Sequence, residues 1–254
     1  MSATKFSAFV IPGLPLIQPG DNLFQLIMDA IQEMGESLQE EDVIVIASKI
    51  VAKSQDRFVN IRTLEASEQA CELAETTGKD PQLVQAILNE SSSVSRVGHG
   101  VIVVVHKDGY ISANAGIDQS NVGRGNDEVL LLPEDPNGVA AELAAEFKAG
   151  SGRHIGVVIT DTHGRPFRLG NVGVALGCAG LPGLVDLRGQ ADLFGREMRV
   201  ATLAFADLIA STAHLLFGEG DEGFPVVIIR GLPFVARQGD THSLIRPIEQ
   251  DMYR

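Results

Sequence analysis

The sequence is poor in aromatic residues and in positive charge. It has no tryptophan, and aromatic residues make up only 5% of the chain, which argues against a surface that stacks on bases. Lysine and arginine number 20 against 33 acidic residues, a formal net charge of −13. Nucleic-acid binding depends on neutralisation of phosphates by lysine and arginine. The composition therefore predicts no nucleic-acid partner, and any site for an anionic ligand must gather cations or metals locally.

Cysteine and long apolar runs are also scarce. Cys71 and Cys178 are too few for a disulfide framework, and neither has the setting of a catalytic thiol. The longest aliphatic runs, such as residues 101–105, fall far below the roughly 20 residues of a membrane helix. The first 15 residues carry one lysine and are broken by prolines and a glycine, unlike a signal peptide. We therefore expect a soluble, cytoplasmic protein with no membrane partner.

What is present is enough apolar sequence, 44% of 254 residues, for one large folding unit. Apolar periodicity and capping residues predict helices at residues 21–37 with Asp21 as N-cap, 64–77, 81–88, 139–148 and 198–217. Buried strands are predicted at 43–47, 155–160 and 225–229, with a hairpin of 101–106 and 110–113 around an Asp-Gly turn. Residues 164–195, which are rich in glycine, are predicted as short strands and loops. Helices and strands mix without strict alternation, which predicts an α+β fold with mixed sheets.

One motif of the chain suggests dinucleotide binding, but its position between the predicted elements argues against it. Residues 218–223 read Gly-Glu-Gly-Asp-Glu-Gly and match the dinucleotide-binding pattern. That pattern works after a strand and before a helix, whereas here it follows a predicted helix and precedes a predicted strand. Its three carboxylates would also repel phosphate directly. The chain contains no phosphate-binding P-loop motif and no His-Glu-x-x-His zinc motif.

Polar residues that suit metal and phosphate binding follow the apolar strand at 155–160. Asp161 stands between two threonines, the second being Thr162, and Arg165 and Arg168 follow closely. Carboxylate and hydroxyl oxygens are ligands that Mg²⁺ and Mn²⁺ prefer, so this segment can hold a metal against phosphate oxygens. The alternative is a turn in which Asp161 caps the backbone and the arginines are solvated.

Three further segments place polar residues where a strand or helix ends. Asp118 and Asn121 follow one strand, Ser48, Lys49 and Lys53 follow another, and the acidic glycine loop follows a helix. Lys49 and Lys53 are four residues apart, so a helical turn would place both on one face. The Asp118 segment and the acidic loop have an ordinary alternative as solvated turns. Carboxylates with lysines and arginines suit phosphoryl transfer, but they leave phosphohydrolase, kinase and ligase open.

Asp207 and His214 interrupt the apolar helix predicted at residues 198–217. They are seven residues apart and nearly align on one face of a helix. Buried polar groups usually have hydrogen-bond partners. The spacing therefore predicts a buried hydrogen-bonded pair or a helix contact rather than catalytic residues.

Several strings of the chain match, in order, those of a known enzyme family. They are Gly-Leu-Pro-Leu-Ile at residues 13–17, Ala-Ser-Lys-Ile-Val-Ala-Lys at 47–53, Asn-Ala-Gly-Ile-Asp-Gln-Ser-Asn-Val at 114–122, Val-Ile-Thr-Asp-Thr-His-Gly-Arg at 158–165, Asp-Leu-Phe-Gly-Arg-Glu at 192–197, Gly-Glu-Gly-Asp-Glu-Gly at 218–223 and Leu-Ile-Arg-Pro-Ile-Glu-Gln-Asp at 244–251. With these strings the sequence resembles the F420-0:gamma-glutamyl ligase family. Their combination is specific, although no single string is.

The resemblance implies a ligase fold and a GTP-driven reaction. The carboxylate of coenzyme F420-0 would become an acyl phosphate, from which the amine of L-glutamate displaces phosphate, and later additions would be gamma-linked. It also implies Mn²⁺ or Mg²⁺, two ions in all, a requirement for K⁺ and a homodimer. Some bacterial relatives carry a nitroreductase-like domain after the ligase part. We expect residues 1–254 to form a single ligase unit, with room for subdomains within it, and without that domain.

The resemblance also assigns roles to residues. It assigns metal binding to Asp118, Asp161, Thr162 and Glu219. It assigns nucleotide binding to Leu14, Pro15, Leu16, Ile17, Ser48, Lys49, Lys53, Asn121, Leu216, Phe217, Gly218, Glu219, Gly220, Asp221, Glu222 and Gly223. Arg165 and Arg168 are hypothesised to bind anionic substrate, and no general base is assigned. Two alternatives stay open: a ligase that acts on another carboxylate, and a sensor that binds GTP and metal without turnover.

Overall fold

The computed structural model describes residues 5–120, 122, 125–218, 220–234 and 239–252. The described residues form six α-helices: α1 (Leu23–Glu33), α2 (Ser48–Ser54), α3 (Glu68–Thr77), α4 (Pro81–Asn89), α5 (Pro136–Ser151) and α6 (Phe205–Phe217). The strands are β1 (Ser7–Val10), β2 (Val43–Ala47), β3 (Phe58–Asn60), β4 (Ser91–Gly98), β5 (Val101–His106), β6 (Ile111–Ala113), β7 (Glu128–Leu130), β8 (Gly156–Arg165), β9 (Arg168–Ala179), β10 (Leu184–Asp186), β11 (Thr202–Ala204) and β12 (Val226–Arg230). Among these helices, none is long and apolar enough to cross a membrane.

A five-stranded mixed sheet forms the centre of the fold. Its order is β1-β12-β2-β8-β9, in which β2 and β8 run parallel and the other neighbours run antiparallel. One face of the sheet packs against α1 and α5, and the other face packs against α6. The central strands β2 and β12 are apolar along nearly their whole length because both faces are covered. The predicted α+β class with mixed sheets is confirmed.

A second group of elements has an apolar core of its own. The sheet β4-β5-β6, the pair β3–β7 and helices α3 and α4 surround a cluster of buried residues that includes Ile87 and Ile102. Strand β6 of this group packs against β8 of the central sheet. The structure thus has two apolar cores in contact, and the expectation of a single ligase unit with subdomains stays a prediction.

Most predicted helices and strands are confirmed, with corrections at helix starts. The N-cap of α1 is Asn22 rather than Asp21: Asn22 accepts a hydrogen bond from the Gln25 amide, while Asp21 accepts one from the Gln18 amide. Helix α3 begins at Glu68 with Ser67 as its cap, four residues later than predicted, since residues 61–63 form a separate 3₁₀ turn. The predicted cap Asp80 before α4 is confirmed.

The hairpin of β8 and β9 corrects the prediction of short strands and loops at residues 164–195. Strand β8 does not stop at Thr160 but continues to Arg165, and β9 is 12 residues long. The glycines of β9 were read as loop signals, yet Gly173 and Gly177 lie where other chain segments approach closely. An added Cβ at Gly173 would meet the backbone of Ala210 in α6. Glycine in a strand can mark such an approach as well as a break.

Replacing Gly177 by alanine is expected to lower the free energy of unfolding by about 1–3 kcal/mol. A Cβ at this position would overlap the backbone carbonyl of Pro136, so the first turn of α5 would have to move. Urea denaturation of the variant measures the effect. Gly164→Ala is the matched control, because its Cβ would lie no closer than 3.7 Å to any neighbour. Equal stability of the two variants would contradict this account of β9.

Helix α6 is shorter and less buried than predicted. It begins at Phe205, and residues 202–204 form the short strand β11, which pairs with β10. Its inner face packs on the sheet, but Leu208 and Leu215 are exposed. The sequence is apolar around the whole helix, whereas the described structure covers one side. Leu208 and Leu215 therefore remain exposed on the outer side of α6.

Candidate active site at the end of the parallel strand pair

The four polar segments predicted from the sequence meet at the carboxyl end of the parallel pair β2–β8. Ala47 of β2 is opposite Thr160 of β8, so Ser48 and Asp161 follow at the same edge of the sheet. The Ala47 amide donates to the carbonyl of Pro225, which places the end of the acidic glycine loop beside the start of α2. Ligand sites form at such edges because loops leave the strands together there.

Asp161 lies between Ser48 and His163. The Ser48 hydroxyl donates to Asp161 Oδ1 at 3.2 Å, and His163 Nε2 lies 3.3 Å from Asp161 Oδ2. His163 and Asp161 are two residues apart in a strand and so lie on one face of it. About a quarter of the Asp161 side chain is exposed, which leaves the carboxylate accessible to a ligand.

Asp118 is held by the residue that follows Ser48. Lys49 Nζ lies 2.6 Å from Asp118 Oδ2 and 3.3 Å from the carbonyl oxygen of Ser120. The other oxygen, Oδ1, accepts hydrogen bonds from the amide and hydroxyl of Ser120. Main-chain hydrogen bonds in both directions with Leu130 fix the position of Asp118. Two carboxylates far apart in sequence are thus bound by consecutive residues, Ser48 and Lys49.

The oxygen donors fit a hard divalent cation in chemistry, though the described residues do not complete a site. Asp118 and Asp161 supply carboxylates of the kind that Mg²⁺ and Mn²⁺ prefer. Within residues 5–120, 122, 125–218, 220–234 and 239–252, no group of three or more His, Cys, Asp or Glu side chains could hold a metal. The remaining predicted acidic ligand, Glu219, lies outside the described residues. Its part in metal binding stays a prediction.

Thr162 is placed differently from Asp161. Neighbouring residues of a strand point to opposite faces, so Thr162 shares the face of Thr160 rather than that of Asp161. Thr160 lies on the side of α6, where its hydroxyl is 3.1 Å from His214 Nε2. The Thr162 hydroxyl therefore does not join the Asp161 carboxylate. The metal role assigned to Thr162 can still be filled by its main-chain oxygen, because main-chain oxygens of a strand do not belong to one face of the sheet.

The residues assigned to the nucleotide lie around the same edge. Leu14, Pro15, Leu16 and Ile17 form the loop between β1 and α1, Lys53 lies on α2, Leu216 and Phe217 end α6, and Gly218, Gly220, Asp221, Glu222 and Gly223 form the loop before β12. Ile17 packs in one cluster with Ile50 of α2. The amide of Gly20 donates to the carbonyl of Ser54, which ties the β1–α1 loop to α2. Asn121 lies outside the described residues.

The acidic glycine loop lies between a helix and a strand, in the order that argued against dinucleotide binding. It follows helix α6 and precedes strand β12. Within it the Glu222 amide lowers the pKa of the Glu222 carboxyl, and so does the Gly220 amide, which donates to Glu222 Oε2. The loop therefore offers anionic oxygen to a ligand, as a metal-bridged contact to phosphate requires.

Arg165 and Arg168 lie at the tip of the β8–β9 hairpin. They are opposite each other in the register, and Arg165 donates to the carbonyl of Gly170. Arg168 is exposed. This places two guanidinium groups four and seven residues beyond Asp161, where an anionic substrate could meet them. Their substrate role stays a prediction.

Asp207 and His214 each bond to the sheet rather than to each other. Asp207 Oδ1 accepts a hydrogen bond from the Ala175 amide, and His214 Nε2 lies beside the Thr160 hydroxyl. Burial raises the pKa of Asp207. Burial also lowers the pKa of His214, although the negative charge of Asp161 acts to raise it. Of the two predicted alternatives, the helix contact is confirmed.

A cavity of about 270 Å³ beside Asp161 was missed by the sequence analysis. His163, Tyr110 and Asp207 line it, and they come from β8, the β5–β6 turn and α6. The rings of Tyr110 and His163 are 6.1 Å apart. Burial and nearby carboxylates, Asp108 first among them, raise the pKa of Tyr110, so it stays a neutral phenol. The alternation of side chains along β8 would have placed His163 on the same face as Asp161. No local sequence pattern indicates that Tyr110 and Asp207 also lie at this cavity.

A comparison with protein families identifies the chain. The family model described as F420-0:Gamma-glutamyl ligase matches residues 13–231. This chain belongs to the F420-0:gamma-glutamyl ligase family. The matched region contains both carboxylates, the two lysines and the acidic glycine loop. Residues 239–252, which border the cavity at Thr241 and Arg246, lie beyond the matched region.

Relatives named coenzyme F420:L-glutamate ligase are similar to the chain over nearly its whole length. It is 45% identical to the coenzyme F420:L-glutamate ligase of Methanothermobacter thermautotrophicus, covering 96% of this chain and 97% of the relative. It is 43% identical to the protein of that name in Methanopyrus kandleri, over 94% and 93% of the two chains. The corresponding values for Archaeoglobus fulgidus are 40%, 98% and 97%. The similarity therefore extends past the family match to the residues around the cavity.

Proposed function

We propose that this protein forms an amide bond between the carboxylate of coenzyme F420-0 and the amine of L-glutamate, in a reaction driven by GTP. Further gamma-linked glutamates can follow in the same way. Support comes from membership of the gamma-glutamyl ligase family and from relatives named coenzyme F420:L-glutamate ligase. The observation that carries the proposal is the pair of carboxylates, Asp118 and Asp161, held by consecutive residues of one helix.

The proposed reaction has two steps. A carboxylate is a poor acyl donor, so transfer of the γ-phosphoryl group of GTP to its oxygen gives an acyl phosphate and GDP. The glutamate amine then attacks the acyl carbon, the carbon–oxygen bond to phosphate breaks, and the amine loses a proton. The products are the amide, GDP and phosphate.

The residues of the chain supply position and charge for the first step. Lys49 and Lys53 would approach the phosphates of GTP, with Ser48 at the first position of the same helix. Lys49 is paired with Asp118, so binding of phosphate by Lys49 would require it to exchange that partner or a cation to replace it. Arg165 and Arg168 would meet the anionic acyl substrate at the hairpin tip.

Two divalent cations, Mn²⁺ or Mg²⁺, and K⁺ belong to the proposal. Asp118, Asp161, Glu219 and an oxygen of Thr162 would hold the divalent ions. When bound, such ions neutralise charge on a transferring phosphoryl group. They would also allow an acidic loop to bind a polyanion that it would otherwise repel.

The proposal is tested by incubating the protein with GTP, Mn²⁺, K⁺, F420-0 and L-glutamate. GDP and phosphate release are measured with and without glutamate, and the product mass is determined. Release that requires both F420-0 and glutamate, with a product one glutamyl unit heavier, supports the proposal. Release that requires glutamate and a different carboxylate favours the alternative ligase. Binding of GTP without turnover under all these conditions favours a sensor.

We further propose that the protein acts as a homodimer. Large apolar side chains are exposed in one part of the sequence, from the β8–β9 tip to the end of α6; they include Leu169, Leu193, Phe194, Val200 and Leu215. Leu169 and Leu193 are each 99% exposed. Exposed apolar side chains mark interaction sites where they form one continuous surface. A second copy of the chain offers the same surface, which suits a two-fold contact.

Replacing both Leu193 and Phe194 by aspartate is expected to convert a dimer into a monomer. Charges in the centre of an apolar contact are costly because they lose their hydration. Light scattering during gel filtration should give twice the mass of one chain for the wild type and the mass of one chain for the variant. Met252→Asp, which alters another exposed apolar side chain, serves as the control and should stay dimeric. A monomeric wild type would contradict the proposal.

A further inference from the structure

The cavity beside Asp161 has the size of a small polar molecule rather than of a nucleotide. Its volume of about 270 Å³ corresponds to roughly nine water molecules. It lies at the free edge of β9, between the β5–β6 turn, the start of α5, the start of α6 and the C-terminal residues 241–251. With β8, which contributes His163, six separate parts of the fold border this space, and His163 lies beside Asp161, a residue predicted to hold metal.

An irregularity of β9 places a carboxylate in this cavity. Ile159 pairs with Gly177 while Thr160 pairs with Ala175, so Leu176 is an extra residue on β9. Such a bulge leaves main-chain groups without strand partners. Asp207 Oδ1 accepts from the Ala175 amide at 2.9 Å, and the Leu176 carbonyl accepts from the Thr241 hydroxyl. The bulge therefore fixes both Asp207 and the C-terminal segment at the cavity wall.

Asp207 is a half-buried carboxylate that forms no ion pair with any residue that the structure describes. Across the part of the chain that the structure describes, no Lys, Arg or His lies within ion-pair distance of it, and its one hydrogen bond uses Oδ1. The three other acids that line the cavity are engaged: Asp108 with His106 and Tyr110, Asp135 with the Gly138 amide at the start of α5, and Asp251 in a further interaction. A buried carboxylate without a cation is costly, and a bound ammonium group would offset that cost.

A second polar group points to a ligand. The His163 side chain is nine-tenths buried and lines the cavity, and its Nε2 forms no hydrogen bond within the described residues, although it lies 3.3 Å from Asp161 Oδ2. His163 therefore forms the wall between the cavity and the Asp161 carboxylate. A molecule in the cavity would lie one side chain away from the predicted metal site.

The mouth of the cavity carries the opposite charge. Arg246 lines it from the C-terminal segment, is exposed, and makes no ion pair with any residue that the structure describes. A guanidinium group binds carboxylates well, often through two parallel hydrogen bonds. The cavity thus offers an anion inside and a cation at the opening, which is the pattern that a zwitterion with an additional carboxylate requires.

We propose that this cavity binds the amino-acid substrate, with the ammonium group of L-glutamate on the Asp207 carboxylate and a carboxylate of the ligand on Arg246. The proposal rests on the proposed ligase function, because it assigns that reaction's amine donor to a place in the fold. It puts the amine on the far side of His163 from Asp161, close to where an activated carboxyl group would form.

Two variants test the proposal. Asp207→Asn keeps an oxygen acceptor for the Ala175 amide and removes the charge, so the fold should be retained. We expect the KM for L-glutamate, and its Kd in calorimetric titration, to rise about 10- to 100-fold in this variant. Arg246→Gln, at an exposed residue, should raise both values about 10-fold. The KM for GTP should stay within about two-fold of the wild type in both. Arg153→Gln, another exposed arginine without an ion pair among the described residues, is the matched control and should change neither value.

The outcomes separate the two proposals. Wild-type turnover that requires glutamate, with an unchanged KM and Kd for glutamate in Asp207→Asn and Arg246→Gln, would overturn the cavity assignment and leave the ligase function standing. A wild type that shows no turnover with glutamate would refute the ligase function. In that case titration of the wild type with L-glutamate still decides the cavity, because an absence of binding, or binding unaffected by Asp207→Asn, would also overturn the assignment.

Discussion

Replacing Asp161 by asparagine is expected to reduce ligase turnover by about 100- to 1,000-fold while leaving the fold intact. Asparagine has the same shape and keeps an oxygen that can accept from the Ser48 hydroxyl, as Asp161 Oδ1 does at 3.2 Å. It lacks the charge that a divalent cation requires. The loss should therefore appear in chemistry and in metal binding rather than in stability.

The measurement combines the glutamate-dependent release of GDP with a calorimetric titration of Mn²⁺ in the presence of GDP. Mn²⁺ affinity should fall together with turnover, and the thermal unfolding temperature should stay near that of the wild type. Asp29→Asn is the matched control, since Asp29 is exposed on α1 and its carboxylate contacts Gln25 there. Wild-type Mn²⁺ affinity in Asp161→Asn would remove this residue from the metal site and weaken the proposed mechanism.

Replacing Arg230 by methionine is expected to lower the free energy of unfolding by about 3–5 kcal/mol. Arg230 holds Asp42 through two hydrogen bonds of 2.9 Å, from Nε to Oδ1 and from Nη2 to Oδ2, and Asp42 is completely buried. The same guanidinium contacts Glu36 and the carbonyl of Ser37. Removing it leaves a buried carboxylate without its cation, which costs far more than the loss of an exposed pair.

Urea denaturation measures this effect, and a second substitution tests its cause. Asp42→Asn in the Arg230→Met background should recover part of the lost stability, because no unpaired charge remains. Arg188→Met breaks a similar two-bond contact with Asp186, but at an exposed position, and should have little effect. Equal losses in Arg188→Met and Arg230→Met would show that burial of the pair is not the cause.

The sequence predicted local elements well where a local cause exists. The cap Asp80 before α4, the buried run of β2 and the Asp-Gly turn of the β5–β6 hairpin depend on residues close in the chain, and the structure has all three. The prediction was wrong along β9, where glycine was read as a loop signal. There Gly173 and Gly177 are set by α6 and α5, which pack on β9 from distant parts of the sequence.

The same division applies to the candidate site. The residue types at Ser48, Lys49, Asp118 and Asp161 predicted metal and phosphate chemistry, and the family strings predicted that they act together. Neither could give the contacts, because Ser48 and Asp161 are 113 residues apart and meet only through the parallel pairing of β2 and β8. Thr162 shows the reverse case, since its position beside Asp161 in sequence places its side chain on the opposite face of β8.

By itself the sequence determined the α+β class, the family and the kinds of atoms available to a ligand, because these depend on residue types and short-range order. Tertiary structure alone decided that His163, which lies beside Asp161, lines a cavity, that Asp207 faces this cavity without an ion pair among the described residues, and that Arg246 stands at its mouth. These three residues come from β8, α6 and the C-terminal segment, and no local interaction joins them. Packing across the edge of one sheet brings them together, and that information is spread over the whole chain.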